Sequence, residues 1–375
     1  MRALRERIEQ EIRTRGPIPF SRYMEMCLYD PEFGYYSRNA DQFGKAGDFY
    51  TSSDVHAVFG RLMARQFEEM WRVLGSPTPF ILLEFGPGRA LFARDLLDWS
   101  AKKFPDFFDA LHYRLAEGSP ALQERIEKNL SRYFESHKAS FMSQEATFFS
   151  NSIVFTNEFF DALPVEVLSS RGSLRIDTRH GSFVETWAPA SPDELEFLDR
   201  YSIHPEPGER VEVALQAQRY MSIAAGLDCG FAVAIDYGYT REEQLAGRHR
   251  GTLKAIRQHS VSANPYEAPG EQDITAHVNF TALAAAAEQG GMHACKLVTQ
   301  SQFLMGIGEA TQFADAFEDC RLPQERAKVA LQLKHLVTPA GMGESFHVLV
   351  ASKGVDEEKV RTLAGLSFGA KQLSR

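Results

Sequence analysis

The stretch "ILLEFGPGRALFARDLL", Ile81 to Leu97, is the feature that most constrains what this chain can fold into. It starts as an apolar run typical of a buried strand, passes through two glycines, and continues with the apolar spacing of a helix. A strand, a tight glycine turn and a helix form the part of an α/β fold that often binds a nucleotide-like cofactor. The stretch therefore predicts a ligand site at Gly86-Pro87-Gly88.

Several ligands fit a turn of this kind. A dinucleotide fingerprint favours a small residue at its sixth position, where this chain has Leu91. A phosphate-binding P-loop ends in Gly-Lys-Ser/Thr, which is absent. An S-adenosylmethionine site needs an acid at the end of the first strand, a glycine turn and a second acid for the ribose hydroxyls. We therefore expect the following residues to bind S-adenosylmethionine: Glu84, Gly86, Pro87, Gly88 and Glu117. A dinucleotide site and a plain βα turn remain alternatives.

A second group of polar residues follows another apolar strand, in "FTNEFFDALPVEV". Ligands of doubly wound sheets bind at the carboxyl ends of the strands, so Asn157, Glu158 and Asp161 are expected to face the cofactor. Methyl transfer depends mostly on the orientation of the attacking nucleophile. If that nucleophile is a guanidinium, carboxylates must pair with it. We expect these three residues to be catalytic, and a helix cap with a surface turn is the alternative.

Asp236, in "AIDYGY", ends a further apolar strand. A buried aspartate needs a partner, so Asp236 is expected either to line the substrate site or to cap the structure. His259, Asp273 and His277 are separated by 14 and then 4 residues, which matches no strong metal-ligand pattern. We expect no metal site, and a hydrogen-bonded loop network is the favoured interpretation. A histidine acting as a general base near the substrate remains possible.

Strand and helix patterns alternate along much of the chain. Strands are predicted at residues 80–85, 112–116, 138–142, 152–156 and 230–238, and in "HACKLVTQ" and "SFHVLVASK". This alternation predicts an α/β fold with a mostly parallel, doubly wound sheet. Residues 165–187 alternate like a hairpin, and a helix is predicted near residues 211–226. The expected organisation is an N-terminal helical lid (1–78), a core (79–164 and 229–353), an inserted substrate-side subdomain (165–228) and a C-terminal tail (354–375).

Composition excludes several classes of protein. With 44% hydrophobic and 24% charged residues, the 375-residue chain can bury a substantial core and is not of a disordered class. A net charge of −9 argues against attraction of the whole protein to nucleic acid or anionic lipid. No apolar run approaches the roughly 20 residues of a membrane span. We therefore expect neither a nucleic-acid partner nor a membrane-spanning segment.

The four cysteines are far apart and form no Cys-x-x-Cys pair, which favours a reducing compartment. The N-terminus is rich in arginine, as a transit peptide would be. However, Glu6, Glu9 and Glu11 are interleaved with the arginines, and transit peptides are poor in acids. The sequence therefore predicts a first amphipathic helix and a cytoplasmic location.

Six segments together resemble the MidA family of S-adenosylmethionine-dependent methyltransferases. They are "GPIPFSRYMEMCLYDPEFGYYS", "GDFYTSSDV", "EFGPGRALF", "NEFFDALPVEV", "IDYG" and "GTLKAIRQHSV...PGEQDITAHVNF", and they occur in order from about Gly16 to Lys353. The resemblance implies a Rossmann-like, seven-stranded class I methyltransferase core. It also implies methylation of an arginine in a partner protein, as in the mitochondrial member, which serves complex I assembly.

The resemblance implies further site residues. In the N-terminal lid, Gly47, Asp48, Tyr50 and Thr51 would pack over the cofactor, together with Phe49. Asn157 would contact the cofactor as well as the transfer point. Phe160, Asp236 and His259 are expected to contact the substrate.

The chain departs from the family pattern at three places. Ala90 replaces a glycine of the turn, Ser52-Ser53-Asp54 follows GDFYT, and Asn279 stands where an aspartate is common. Two other functions therefore stay open: a small-molecule O- or N-methyltransferase on the same fold, and an assembly factor that binds cofactor without turnover. A nicotinamide-dependent enzyme is a more distant alternative.

Overall fold

The computed structural model describes residues 2–37, 57–142, 150–257, 260–262 and 264–368. Its centre is a sheet whose seven main strands we number β1–β7. They are β1 (Phe80–Phe85), β2 (Leu111–Ala116), β3 (Ala139–Phe141), β4 (Ser150–Asn157), β5 (Cys229–Tyr239), β6 (His293–Thr299) and β7 (Phe346–Lys353). Their order is β6-β7-β5-β4-β1-β2-β3. This confirms the predicted α/β fold with a seven-stranded core.

Strand direction explains how the sheet creates a ligand site. β3, β2, β1, β4 and β5 are parallel neighbours, whereas β7 runs antiparallel to both β5 and β6. The chain order reverses between β1 and β4, so the carboxyl ends of these two strands open a crevice between their following loops. The short strand Val278–Asn279 extends the end of β5 in parallel.

Helices cover both faces of this sheet, as a parallel sheet requires. Ala57–Val73 and Leu91–Lys103 pack on one face, and Leu215–Ala224 and Phe280–Gln289 on the other. The remaining helices are Arg2–Arg15, Phe20–Tyr29, Pro105–Ala110, Pro120–Asn129, Ser131–Glu135, Pro192–Tyr201, Arg241–Leu245, Gln300–Glu309, Ala314–Phe317, Pro323–Val337 and Glu357–Arg361, with 3₁₀ turns at Tyr35–Ser37 and Ala364–Leu366. Among the described helices, none is both long and apolar enough to cross a membrane.

A second sheet joins the N-terminal region to the insertion. Gly172–Arg179 and Ser182–Ala188 form the predicted hairpin, and Ile18–Pro19 pairs antiparallel with the first of these strands. Glu166–Ser169 lies between Gly172–Arg179 and Val211–Val213. The predicted helix near residues 211–226 therefore begins later, at Leu215, because residues 211–213 are taken into the edge of this sheet.

Apolar side chains of the N-terminal helices hold this second sheet in place. Ile8, Phe20 and Tyr23 are buried against Leu174 and Ile176 of the hairpin. The Tyr23 hydroxyl donates to the carbonyl of Pro265 at 2.9 Å, in the segment that follows β5. That segment forms a third, three-stranded sheet from Lys254–Arg257, Ser260–Ser262 and Asp273–Thr275. The N-terminal region and this small sheet are thereby packed beside the carboxyl end of the central sheet.

Candidate active site

A cavity of about 1330 Å³ lies at the carboxyl ends of β1, β2, β4 and β5. Its wall includes the glycine turn after β1, the acidic turn after β4, and residues of the N-terminal region and of the third sheet. Cavities for small ligands usually measure about 300–1,000 Å³. This cavity therefore has room for a cofactor and for part of a second molecule.

The glycine turn adopts a backbone that side chains disfavour. Gly86 and Gly88 have φ angles of 64° and 54°, in the left-handed region. The Gly86 N–H donates to the carbonyl of Ala116 at 3.2 Å, which ties the turn to the end of β2. A Cβ on Gly86 would lie only 2.6 Å from the ring of Phe159. Glycine is therefore needed at position 86 both for its conformation and for the approach of the neighbouring loop.

Two acids stand at the ends of adjacent strands, as the sequence predicts. Glu84 is buried in β1 and accepts a hydrogen bond from the Tyr113 hydroxyl at 2.7 Å. Burial raises the pKa of Glu84 to about 8, so a cationic ligand would favour its ionised form. Glu117 follows β2 and accepts the N–H of Ser119 at 2.8 Å. Burial also raises the pKa of Glu117. Both carboxyl groups line the cavity.

The acidic turn after β4, residues 157–161, brings three predicted side chains to the same cavity. Asn157 ends β4, and its Nδ2 donates to Oε1 of Glu158 at 3.2 Å. Asp161 Oδ2 accepts a hydrogen bond from the Tyr237 hydroxyl. Among the described residues, neither Asn157 Oδ1 nor Asp161 Oδ1 has a hydrogen-bond partner, although both atoms are buried. Buried acceptors of this kind can accept a hydrogen bond from a ligand or from an ordered water.

Asp236, near the end of β5, fixes the acidic turn through hydrogen bonds to its backbone. Its Oδ2 accepts the backbone N–H groups of Phe159, Phe160 and Asp161 at 3.0–3.3 Å, and its Oδ1 accepts that of Tyr237 at 2.9 Å. These bonds support the turn in which Glu158 has a φ of 52°. Asp236 is buried and does not line the cavity, so its expected contact with substrate is corrected to the structural cap that was the alternative.

Phe160 also lies away from the cavity wall. Its side chain is buried in the core that covers one face of the central sheet, because the turn points it inward. The expected contact between Phe160 and substrate is therefore corrected to core packing. The remaining expected contacts, Gly47, Asp48, Tyr50, Thr51 and His259, lie outside the described residues.

The structure adds aromatic residues that the motif analysis did not assign to the site. Tyr29 and Tyr36 line the cavity with their rings stacked at a centroid distance of 5.5 Å. The Tyr29 hydroxyl donates to the carbonyl of Ala162 at 2.9 Å, and the Tyr36 hydroxyl donates to Oδ1 of Asp273 at 3.0 Å. The N-terminal region thus contacts the residue that directly follows the acidic turn. The aromatic stretch "YDPEFGYYS" was the available signal for these contacts.

A cationic lobe, defined by His249, Lys254 and His277, forms another part of the same cavity. Nδ1 of His249 lies 3.2 Å from Nδ1 of His277, and Lys254 Nζ lies 3.2 Å from His277 Nε2. His277 thus belongs to a hydrogen-bonded loop network, as its sequence context favours. Within the described ranges, no group of three or more His, Cys, Asp or Glu side chains could hold a metal ion.

The residues present fit S-adenosylmethionine. Gly86 allows close backbone approach, Glu84 and Glu117 offer carboxyl groups, and the buried Asn157 Oδ1 can accept a hydrogen bond from an amine. A solved structure of similar fold supports this fit. It is a COG1565 superfamily member from Burkholderia thailandensis bound to S-adenosyl-homocysteine, 29% identical, with a TM-score of 0.83 over 95% of this chain and 93% of that one. A native structure from the same organism gives a TM-score of 0.82 and 27% identity over 98% and 94% of the two chains.

Fold and site together define an S-adenosylmethionine-dependent methyltransferase. Residues 62–298 match the family described as "Putative S-adenosyl-L-methionine-dependent methyltransferase". The chain belongs to that family, which confirms the resemblance drawn from its motifs.

Curated relatives cover nearly the whole chain. The "Protein arginine methyltransferase NDUFAF7 homolog, mitochondrial" of Drosophila melanogaster is 30% identical over 94% of this chain and 85% of its own length. The human "Protein arginine methyltransferase NDUFAF7, mitochondrial" is 27% identical over 90% of this chain and 80% of its own length. Because these relatives are named as mitochondrial proteins, the predicted cytoplasmic location is wrong. Interleaved acids near an N-terminus are therefore not a sufficient guide to compartment.

Proposed function

We propose that this chain methylates a guanidinium nitrogen of an arginine in a partner protein. The observation that carries the proposal is a pair of acidic side chains, Glu158 and Asp161. They lie on the wall of the same cavity as the glycine turn. A guanidinium presents five N–H donors in one plane and stays charged, so it binds best between carboxylates. The relatives' names, which specify protein arginine methyltransferases, support the same substrate.

Asp161 is suited to receive such a cation. Its Oδ2 is fixed by the Tyr237 hydroxyl, while its buried Oδ1 lacks a partner among the described residues. Burial raises the pKa of Asp161 to about 6, and a guanidinium arriving beside it would lower that pKa and hold the carboxyl ionised. A guanidinium would therefore donate a hydrogen bond to Asp161 Oδ1 and neutralise the buried negative charge of the same carboxylate.

The chemistry divides between cofactor and protein. S-adenosylmethionine supplies the electrophilic methyl group when bound. Glu158 and Asp161 would pair with the guanidinium and aim one of its nitrogens at that methyl group, and a carboxylate can accept the proton that the nitrogen loses. Tyr29 and Tyr36 cover the same part of the cavity and would limit its access to water.

The partner proposed here is a subunit of a respiratory complex. The family resemblance implies such a partner, and a cavity of about 1330 Å³ leaves space beside the cofactor for a protein side chain. The expected domain division also stays a proposal: residues 1–78 as a lid, 79–164 with 229–353 as the core, 165–228 as a substrate-side insertion, and 354–375 as a tail.

The test is transfer of labelled methyl groups to purified respiratory-complex subunits and to arginine peptides, followed by amino-acid analysis for methylarginine. Glu158→Gln and Asp161→Asn should each lower the rate by about 100-fold or more, since each removes a charge-assisted bond worth about 1.5–3 kcal/mol together with nucleophile alignment. Glu127→Gln, an exposed helical carboxylate, is the matched control.

Cofactor binding, measured by calorimetry, should change less than about threefold in both site variants, because the proposal assigns these carboxylates to the substrate. Full activity of both variants would refute the proposed roles. Methyl groups found only on small molecules would favour the small-molecule enzyme. Tight cofactor binding with no transfer to any candidate would favour the assembly factor.

A further inference from the structure

The cationic lobe lies next to the acidic turn. Lys254 begins a strand of the third sheet, His277 follows another strand of that sheet, and His249 lies in the loop after the helix Arg241–Leu245. Tyr237 connects the two regions: its hydroxyl donates to Asp161, and its ring meets that of His277 edge-on at a centroid distance of 5.3 Å. A molecule that places one group at Asp161 can therefore place another in the lobe.

The hydrogen bonds of the lobe run in one direction. A lysine ammonium can only donate, so Lys254 donates to Nε2 of His277, and the proton of His277 must be on Nδ1. That Nδ1–H donates to Nδ1 of His249, which leaves the His249 proton on Nε2. The groups left over are the remaining N–H bonds of Lys254 and the Nε2–H of His249, and both can only donate. The lobe thus offers N–H donors and one cation, with no free acceptor among its three side chains.

The charged groups around the lobe determine what Lys254 can bind. Arg248, on the same cavity wall, is paired with Glu243 at 3.5 Å. Among the described residues, no carboxylate oxygen lies within 4.0 Å of Lys254 Nζ. Burial, Lys254 and His249 lower the pKa of His277 to about 4, so its imidazole is neutral at physiological pH. Burial lowers the pKa of His249, whereas Glu243 on the same cavity wall acts to raise it. Glu243 and Glu344 likewise act to raise the pKa of His347, which burial lowers.

We propose that the cationic lobe binds a carboxylate side chain of the substrate, so that the enzyme prefers arginines with an aspartate or glutamate nearby. The inference rests on the proposed arginine methylation and adds a specificity determinant to it. A carboxylate accepts several hydrogen bonds at once and complements the charge of the Lys254 ammonium. An extended peptide rises about 3.3 Å per residue, so the acidic residue is expected within a few positions of the arginine.

The first experiment does not depend on arginine methylation. The imidazole NMR signals of His277 and His249 in the full chain are followed while N-acetyl-glutamate N-methylamide is added, with the glutamine analogue as control. The glutamate compound should shift these signals at concentrations where the glutamine compound does not, and Lys254→Gln should remove the difference. Lys328→Gln, on the exposed face of the helix Pro323–Val337, should retain it. Equal shifts from both compounds, or none from either, would overturn the proposal.

The second experiment scans paired arginine peptides that differ only by glutamate or glutamine at each position around the arginine. At the best position, the glutamate peptide should be methylated with a kcat/KM about three- to tenfold higher, as expected for a partly exposed ion pair. Lys254→Glu should reverse this preference, whereas Lys328→Gln should leave it as it is in the unaltered chain. Equal methylation of the glutamate and glutamine peptides would refute the role of the cationic lobe in substrate choice, but the proposed arginine methylation would stand. Signal shifts in the first experiment with no arginine methylated would refute the function but keep an anion site.

Discussion

Gly86→Ala is the substitution that best tests the geometry of the glycine turn. Gly86 has a φ of +64°, and a Cβ there would lie 2.6 Å from Cδ2 of Phe159. The left-handed conformation costs a residue with a side chain about 1–2 kcal/mol. The displaced ring adds an overpacking cost of about 1–3 kcal/mol. The free energy of unfolding should therefore fall by about 2–5 kcal/mol.

The ring of Phe159 cannot move without disturbing the site. It stacks on Phe85 at 5.8 Å and meets Tyr220 edge-on at 5.2 Å, and its backbone N–H is held by Asp236. Since Glu158 precedes it directly, a shift of Phe159 changes the acidic turn as well. We therefore expect the affinity for S-adenosyl-homocysteine to fall by at least about tenfold, which corresponds to about 1.4 kcal/mol.

Gly75→Ala is the matched control for this substitution. Gly75 has a φ of +87°, but a Cβ there would meet nothing within 4 Å. Its expected cost is the conformational strain alone, about 1–2 kcal/mol, with cofactor affinity unchanged. Unfolding in urea measures stability, and calorimetry with S-adenosyl-homocysteine measures binding. If Gly86→Ala is no less stable than Gly75→Ala and binds as well as the unaltered chain, the steric argument is wrong.

Three further results are expected. Ala90→Gly relieves about 1–2 kcal/mol of backbone strain at a φ of 55°. It also removes a buried methyl group and gives the unfolded chain more conformational freedom, and both effects oppose that gain. The free energy of unfolding in urea should therefore change by less than about 1 kcal/mol. Asp236→Asn keeps only one acceptor oxygen, so either the N–H of Tyr237 or those of the acidic turn lose their acceptor, and the protein should be destabilised by about 2–4 kcal/mol in the same assay. Because the pKa of Asp161 is about 6 and only its ionised form pairs with a guanidinium, kcat/KM should rise with pH through about 6 and then level off. Asp161→Asn should abolish that rise.

Short-range patterns were enough to predict the core of the fold. The apolar runs that become β1, β4 and β5 are buried on both faces, so their sequence alone marks them as central strands. The residues at their carboxyl ends follow directly, because the ligand side of such a sheet is fixed by strand direction. This is why Glu84, Glu158 and Asp161 could be placed at the cavity in advance.

The direction of a side chain in an irregular turn could not be predicted in this way. Glu158 and Asp161 face the cavity, whereas Phe160 between them points into the core. The difference depends on the left-handed φ of Glu158 and on the hydrogen bonds from the turn to Asp236, a residue 75 positions after Asp161. The lobe as a whole was missed for the same reason, because strand pairing in the third sheet brings Lys254 close to His277, and His249 joins them from the loop after the helix Arg241–Leu245.

Two of the three departures from the family pattern, Ala90 and Asn279, give little support to loss of turnover, and the third, Ser52-Ser53-Asp54, lies outside the described residues. Ala90 is buried at the start of the helix after the glycine turn, and its methyl group lies in the core rather than against a ligand. Asn279 does not line the cavity: its Oδ1 caps the helix Phe280–Gln289 by accepting the N–H of Ala282 at 3.0 Å, and its Nδ2 donates to the carbonyl of Tyr201 at 2.8 Å. An ionised aspartate could make the first of these bonds but not the second, because it has no donor. Asn279 therefore links this helix to the insertion through Tyr201. These structural hydrogen bonds, which lie outside the cavity wall, explain why asparagine stands where an aspartate is common.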